Sequence, residues 1–221
     1  MIVQNVLDYF GDSYHETFHW PEMAAPEWDR KVIEYNLKFE KRFLGKLDLP
    51  TGKVVASDPL VFFDQPPFSL DVPAGKHDVI LSTATISGDE RRVAFAMLKF
   101  GEIVNILTWA PIQAGETMSH YSVDSGTGCF MDVSTQSLLN RRLEDPTFDN
   151  FLFGELQRSS VVDKFSWVNH SLSDDGENNV VAFSTGWGDG SYSTYAGFDS
   201  SKNLICFVTD FEIMHYMDNT D

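Results

Sequence analysis

Residues 76–100, KHDVILSTATISGDERRVAFAMLKF, contain two apolar runs joined by a short polar turn. The runs DVILSTATI and RRVAFAMLKF are rich in Val, Ile, Thr and Phe, residues that favour β-strands. Between them, SGDE supplies the glycine and aspartate that favour a turn. The stretch therefore predicts two antiparallel strands, and similar runs elsewhere in the chain would extend the same sheet.

Further apolar runs of this kind follow from Leu47 onward, separated by Gly, Pro and Asp. One region differs, because VSTQSLLNRRLED begins with a Ser/Thr cap and PTFDNFLFGELQR follows a proline, which predicts one or two helices around residues 134–158. We therefore predict a β-rich α+β fold with a mostly antiparallel curved sheet or two packed sheets. The strand-like runs include KVVAS, LVFF, IVNILTW, CFMDV, NVVAFST, SYSTYAGF and NLICFVTDFEI.

The segment before residue 45 is harder to assign, since helical and strand-like spacings of apolar residues overlap between Pro26 and Phe43. The proline at its start and Gly45 after its end favour a helix. We therefore predict a helical N-terminal arm over residues 1–44 and one β-rich globular domain over residues 45–221.

The chain is strongly acidic, with 16 Lys and Arg against 33 Asp and Glu and a net charge of -17. Residues 1–50 carry 6 cations and 9 anions, a net of -3, which leaves -14 for the other 171 residues. Such a charge repels phosphate backbones and attracts cations, so we expect a basic protein partner and no nucleic acid. No apolar run has the length of a membrane span, and MIVQNVLDYFG has no secretion-signal pattern, so we expect a cytoplasmic protein without a membrane partner.

The stretch HETFH matches the pattern of zinc peptidases, in which two His four residues apart bind the metal and the Glu acts as general base. The corresponding residues are His15, Glu16 and His19. That chemistry needs a helix, which Gly11 and Pro21 oppose. We therefore predict no metal site here and no cofactor. Cys129 and Cys206 are predicted to be buried free thiols.

Two glycine-rich stretches are the other candidates. YSVDSGTGCFMD places Asp124 before Ser-Gly, as in the catalytic loop of aspartic proteases, but the sequence has no second copy of this tripeptide. The alternative is a glycine-rich turn between strands. STGWGDGSYSTYAGFD presents Trp187 and Asp189 between glycines, followed by Tyr192. We predict these three as binding residues, with a turn packed by its own aromatic rings as the alternative.

Six stretches, taken in order, resemble the bacterial family known as domain of unknown function 4241. They are KVVASDPLV, VPAGKHDVILSTA, DERRVAFAMLKF, VDSGTGCFMD, NVVAFSTGWGDGSYSTYAGFD and VTDFEI. The resemblance covers about residues 45–213 and leaves HETFH outside. It implies no activity, cofactor or site residue. In the family pattern Ala stands where this chain has Ser125, which weakens the likeness to aspartic proteases.

Two classes of function fit these observations. The first is a non-enzymatic acidic binding protein, such as an immunity-type antitoxin that occludes a basic toxin. The alternative is a hydrolase with an aspartate-based or metal-dependent site, which requires the glycine-rich loops to converge. Aspartates that are used in turns would favour the binding protein, whereas carboxylates gathered in a deep pocket would favour the enzyme. The candidate catalytic residues are Asp124, Asp132, Asp189 and Asp210.

Overall fold

The structure is a computed structural model that describes residues 5–21, 32–61, 64–103, 106, 108–115, 118–173 and 177–214. In chain order the strands are β1 (Tyr14–Pro21), β2 (Val32–Leu49), β3 (Val54–Ser57), β4 (Gly75–Ser87), β5 (Glu90–Lys99), β6 (Thr108–Pro111), β7 (His120–Val123), β8 (Thr127–Asp132), β9 (Trp167–Ser171), β10 (Asn179–Ser184), β11 (Gly190–Phe198) and β12 (Leu204–Asp210). The helices are a 3-10 helix (Val6–Phe10), α1 (Val133–Leu143) and α2 (Pro146–Asp163).

The strands form two antiparallel sheets. The larger sheet has eight strands in the order β1-β2-β4-β5-β12-β11-β6, and β7 pairs with β11 beside β6. The smaller sheet has four strands in the order β3-β8-β10-β9. The prediction of a β-rich fold with antiparallel sheets and helices around residues 134–158 is confirmed. No helix in the described ranges has the length and apolar content of a membrane-spanning segment.

Residues 76–100 form the hairpin that the sequence predicts, and this hairpin lies in the middle of the larger sheet. β4 and β5 are joined by Gly88 and Asp89, and the φ angle of Gly88 is 57°, a value that glycine adopts readily. β4 pairs with β2 on its other side, and β5 pairs with β12. The apolar residues Met97 and Leu98 are fully buried because both faces of this strand are covered.

The layers of the fold follow from the alternation of side chains along each strand. In β8, Phe130 lies in the apolar cluster between the two sheets, whereas Cys129 and Met131 lie in the cluster under α1 and α2. In β12, Phe207 faces the smaller sheet, and its neighbour Val208 faces the 3-10 helix. The order of layers is therefore the 3-10 helix, the larger sheet, the smaller sheet and the two α-helices.

A β-bulge allows β2 to place apolar side chains in the clusters on both sides of the larger sheet. Phe39 packs toward the 3-10 helix and Leu47 packs between the sheets, although both have odd numbers and would share a face in a regular strand. The register with β4 shifts between Phe43 and Gly45, where Gly45 has a φ angle of 101°. The extra residue reverses the inward face of the strand at this point.

The predicted helical N-terminal arm is wrong, because β1 and β2 occupy most of its described residues, and among these the one helical segment is the short 3-10 helix before β1. The strand-like alternation prevails since it places Leu37 and Phe39 in a core, where both are fully buried. Residues 22–31, which include the predicted helix start, lie outside the described residues. The predicted division between residues 44 and 45 falls inside β2.

Candidate functional site

The two glycine-rich loops, residues 124–128 and 185–190, lie next to each other. The backbone N–H of Thr185 donates a hydrogen bond to the carbonyl oxygen of Gly126 at 3.1 Å. A Cβ atom placed on Gly126 would lie 3.6 Å from the Cα atom of Gly188. The loops therefore converge, a point that sequence reasoning left open.

Two of the predicted site residues, Asp124 and Asp189, each lie one residue beyond the last pair of the β7–β11 ladder. Val123 pairs with Gly190, so the next residues outward on the two strands are these aspartates. Both are exposed, and within the described ranges neither carboxylate forms an ion pair. Two neighbouring carboxylates without a cationic partner create a local negative potential that attracts an ammonium or guanidinium group.

Trp187 lies two residues before Asp189 on the second glycine-rich loop and is 39% exposed. The guanidinium carbon of Arg92, on β5, lies 4.9 Å from the centre of the Trp187 ring, which is the geometry of a cation–π contact. This contact connects the β4–β5 turn to the glycine-rich loops. The sequence did not single out Arg92, since nothing in a basic dipeptide after a turn indicates which aromatic ring it will meet.

A cleft of about 490 Å³ separates the loops and the β4–β5 turn from the C-terminal end of α2. Three cations line this cleft, and each is paired with a carboxylate, whereas Asp124 and Asp189 lie outside its lining. The hydrogen bond from Lys164 holds the pKa of Asp89 below its usual range. The pairs are Lys164–Asp89 at 3.1 Å, Arg91–Glu40 at 3.2 Å and Arg92–Glu90 at 2.7 Å.

Asp58 supports the first loop from the interior, and sequence reasoning missed it. Its side chain is fully buried, and Oδ2 accepts the backbone N–H groups of Asp124 at 3.0 Å and Ser125 at 2.7 Å. Oδ1 accepts the N–H of Leu60 at 2.9 Å, which forms an Asx turn. The sequence did contain a signal for a turn at this aspartate, since Asp58 stands directly after the apolar run KVVAS and before Pro59.

The other two predicted catalytic aspartates have structural roles. Asp132 is fully buried and caps α1, where it accepts the N–H of Ser134 at 2.8 Å and that of Thr51 at 3.0 Å. Asp210 is 3% exposed and accepts the N–H of Glu212 at 2.8 Å. None of the four predicted aspartates lines the cleft. The four aspartates are therefore not assembled into one site.

Tyr192, one of the three predicted binding residues, is buried, with 4% of its surface exposed. Its hydroxyl donates to the carbonyl oxygen of Gly188 at 2.7 Å, and its ring meets that of Phe211 edge-on at a centroid distance of 5.0 Å. Tyr192 thus stabilises the second loop from below and is not an exposed anchor. The exposed members of the predicted set are Trp187 and Asp189.

The HETFH segment lies in β1 and not in a helix. Residues four apart in a strand are separated by about 13 Å, so the backbone holds His15 and His19 too far apart for one metal ion. Glu16 accepts a hydrogen bond from the hydroxyl of Tyr9. Burial and this hydrogen bond raise the pKa of Tyr9 above its usual value. Among the described residues, no group of three or more His, Cys, Asp or Glu is arranged to hold a metal.

We expect purified protein to contain no stoichiometric zinc, because an extended strand cannot bring the two histidines of HETFH together. Elemental analysis by mass spectrometry, with His15→Ala measured beside the native sequence, checks this. One zinc per chain that disappears in the His15→Ala variant would contradict the strand geometry.

The two thiols are buried and free, as predicted. Burial raises the pKa of Cys129 and that of Cys206 to about 12. Neither thiol is ionised at neutral pH, so neither has the thiolate character of a nucleophile.

Comparison with known proteins places the chain in a family without an assigned function. The family described as "Protein of unknown function (DUF4241)" matches residues 47–209, well over half of the 221 residues. The chain belongs to this family, as its motifs indicate. No curated protein and no solved structure matches it.

Proposed function

We propose that this member of the DUF4241 family is a non-enzymatic acidic binding protein of the cytoplasm that engages a basic protein, as an immunity-type antitoxin does when it occludes a toxin. The observation that carries the proposal is the pair of exposed carboxylates, Asp124 and Asp189, beside the partly exposed ring of Trp187. An Arg or Lys side chain of the partner can place its charge between the carboxylates. Its aliphatic part can lie against the indole ring.

The charge of the chain supports this assignment. Of the net -17, the part beyond residue 50 carries -14, and after Phe165 the only cation is Lys202. A field of this kind accelerates the encounter with a basic protein, and the acceleration falls as salt screens the charges. Asp124 and Asp189 are exposed, so their charge contributes to this field at the glycine-rich loops.

The loops that carry this face are held rigidly, which favours binding because little freedom is lost on association. Asp58 fixes the first loop through two backbone N–H groups. Tyr192 fixes the second loop through the carbonyl oxygen of Gly188. The bond between Thr185 and Gly126 joins the two loops.

The use of the other aspartates also favours a binding protein over a hydrolase. A general acid or base must come within hydrogen-bond distance of the substrate, whereas Asp132 and Asp210 are buried and accept backbone hydrogen bonds. The alternative function, a hydrolase, is then limited to two of the four predicted aspartates, Asp124 and Asp189, acting together beside the cleft. Cleavage of a phosphodiester or peptide probe by the native chain, lost in Asp124→Asn, would favour that alternative.

The test uses the product of the neighbouring gene as the probe, produced with and without this chain. We expect the native chain to bind that product and to restore the growth of cells that express it. Asp189→Lys should weaken the measured affinity at least tenfold, because it places a cation where the partner's cation would bind. Absence of binding and of growth rescue by the native chain would overturn the proposal.

A matched control variant distinguishes the effect of this face on binding from the effect of the net charge. Glu102→Lys changes the charge by the same amount at a position that is 86% exposed, beyond the opposite end of β5 from Arg92. From Arg92 to Lys99, β5 alone spans about 23 Å in that direction. We expect Glu102→Lys to slow association slightly and to leave the dissociation rate unchanged. Equal weakening by both variants would contradict the assignment of this face.

A further inference from the structure

The proposed binding of a basic protein gives no role to the cleft between the glycine-rich loops and the end of α2. Its volume of about 490 Å³ is in the range of small-molecule sites. Besides the three cations already described, four residues with hydroxyl groups line it, namely Ser160, Ser166, Ser184 and Thr185. A lining of this kind can donate many hydrogen bonds to a polar ligand.

The cations at the cleft belong to a charged group in which cations outnumber carboxylates. Glu40, the partner of Arg91, also pairs with Lys38 at 2.8 Å, so one carboxylate serves two cations. Arg92 and Lys164 have one carboxylate each, Glu90 and Asp89. The group therefore holds four cations and three carboxylates, a net charge of +1, in a chain whose net charge is -17. This local excess of positive charge favours an anionic ligand.

The ion pairs leave these cations accessible to a ligand. Asp89 is 84% exposed and Glu90 is 44% exposed, and ion pairs of exposed side chains contribute little to stability. Arg92 uses two of its five N–H donors on Glu90, which leaves the other three. Its contact with the Trp187 ring orients the guanidinium group. A phosphate group, with two charges and several acceptor oxygens, can bind such a set more strongly than a single exposed carboxylate does.

Three serine hydroxyl groups add neutral donors to the cations. Ser160 lies in the last turn of α2, and Ser166 and Ser184 lie at neighbouring ends of β9 and β10. The backbone N–H of Ser184 donates to the carbonyl oxygen of Ser166 at 2.9 Å. Within the ranges that the structure describes, none of the three hydroxyl groups has a hydrogen-bond partner. Arg, Lys and Ser side chains are common donors to phosphate oxygens.

We propose that this cleft binds a small molecule through its phosphate group. Arg91, Arg92 and Lys164 would supply the charged donors, and the three serine hydroxyl groups would supply the neutral ones. The volume of the cleft leaves space for the organic part of the molecule. A nucleic acid does not fit this site, because the net charge of -17 repels the rest of its phosphates.

Calorimetric titration of the full chain with inorganic phosphate at low ionic strength tests the site. We expect saturable binding with a dissociation constant on the order of 1 mM, and Lys164→Gln should weaken it about fivefold. The matched control is Lys53→Gln, which should leave the binding unchanged. Lys53 is 48% exposed and 2.9 Å from Asp71, whereas Lys164 is 47% exposed and 3.1 Å from Asp89. No saturable binding of phosphate, or equal effects of the two variants, would overturn the proposal.

Asp89→Asn gives a second readout, a gain of binding that a damaged fold cannot produce. It removes the carboxylate that competes for Lys164, so we expect phosphate to bind about threefold more tightly. Asp71→Asn removes the carboxylate beside Lys53 and changes the net charge by the same amount, and it should have no such effect. If Asp89→Asn does not strengthen phosphate binding more than Asp71→Asn does, the phosphate does not bind at Lys164 and the proposal fails. Because these experiments need no basic partner, they succeed or fail independently of the proposed function.

Discussion

Replacement of Asp58 by alanine should lower the free energy of unfolding by about 3–4 kcal/mol, because three backbone N–H groups lose a charged acceptor in a site without solvent. The carboxylate is fully buried and serves Leu60, Asp124 and Ser125. For a chain of this size, such a change lowers the melting temperature by about 10 °C. Urea denaturation followed by tryptophan fluorescence measures the free energy directly.

The effect of Asp58→Ala should extend to binding. The loop that carries Asp124 loses two of its anchors, so its carboxylate no longer stands fixed opposite Asp189. We expect the affinity for a basic partner to fall even at temperatures at which the variant is folded, mostly through faster dissociation. This separates the positioning role of Asp58 from its role in stability.

Two control variants test whether the loss of stability comes from the hydrogen bonds of Asp58. Asp58→Asn keeps the shape and one carbonyl oxygen, so we expect it to lose about half as much stability as Asp58→Ala. Asp71→Ala removes an aspartate that is 70% exposed and paired with Lys53, and it should change stability far less. Similar stabilities of Asp58→Ala and Asp71→Ala would show that the three hydrogen bonds of Asp58 contribute little.

The central hairpin could be predicted from sequence because its signals are local. In residues 76–100 the strand-forming residues and the Gly88–Asp89 turn agree, and no helical pattern competes with them. The segment before residue 45 offered two patterns, and the choice depended on β4, about 40 residues further along the chain. Phe39 pairs with Ala84, for example, and local propensity carries no information about that contact.

The candidate site also depends on long-range contacts that local sequence does not reveal. The sequence identified Asp124, Trp187 and Asp189 as residues of interest, but it could not show that their loops meet. The meeting depends on the β7–β11 ladder and on Asp58, which lies 66 residues before Asp124 in the chain. Local patterns also could not show that Asp132 and Asp210 accept backbone hydrogen bonds from neighbouring segments. The sequence alone does not distinguish such a structural aspartate from a catalytic one.

The family match includes the whole of the proposed binding face. Asp58, both glycine-rich loops and the β4–β5 turn lie inside the matched residues 47–209, so the binding face belongs to the part that the family shares. β1 lies outside the match.

Replacement of Gly186 by alanine should lower the free energy of unfolding by about 2–4 kcal/mol, because the new methyl group meets backbone atoms that cannot move away. A Cβ atom at this position would lie 2.4 Å from the carbonyl oxygen of Phe211 and 3.0 Å from its Cβ atom. The N–H of Gly186 also donates to the carbonyl oxygen of Val93 at 3.1 Å, so the loop cannot shift without breaking this bond.

Gly188→Ala is the matched control for Gly186→Ala, since it adds the same methyl group two residues along the same loop. Gly188 has a φ angle of 112°, and no atom lies within 4 Å of a Cβ placed there, so only backbone strain of about 1–2 kcal/mol is expected. Urea denaturation of both variants gives the difference. A larger loss for Gly188→Ala than for Gly186→Ala would mean that the contact with Phe211 does not fix the loop. The larger loss for Gly186→Ala would show that close packing against the sheet holds Trp187 and Asp189 in position.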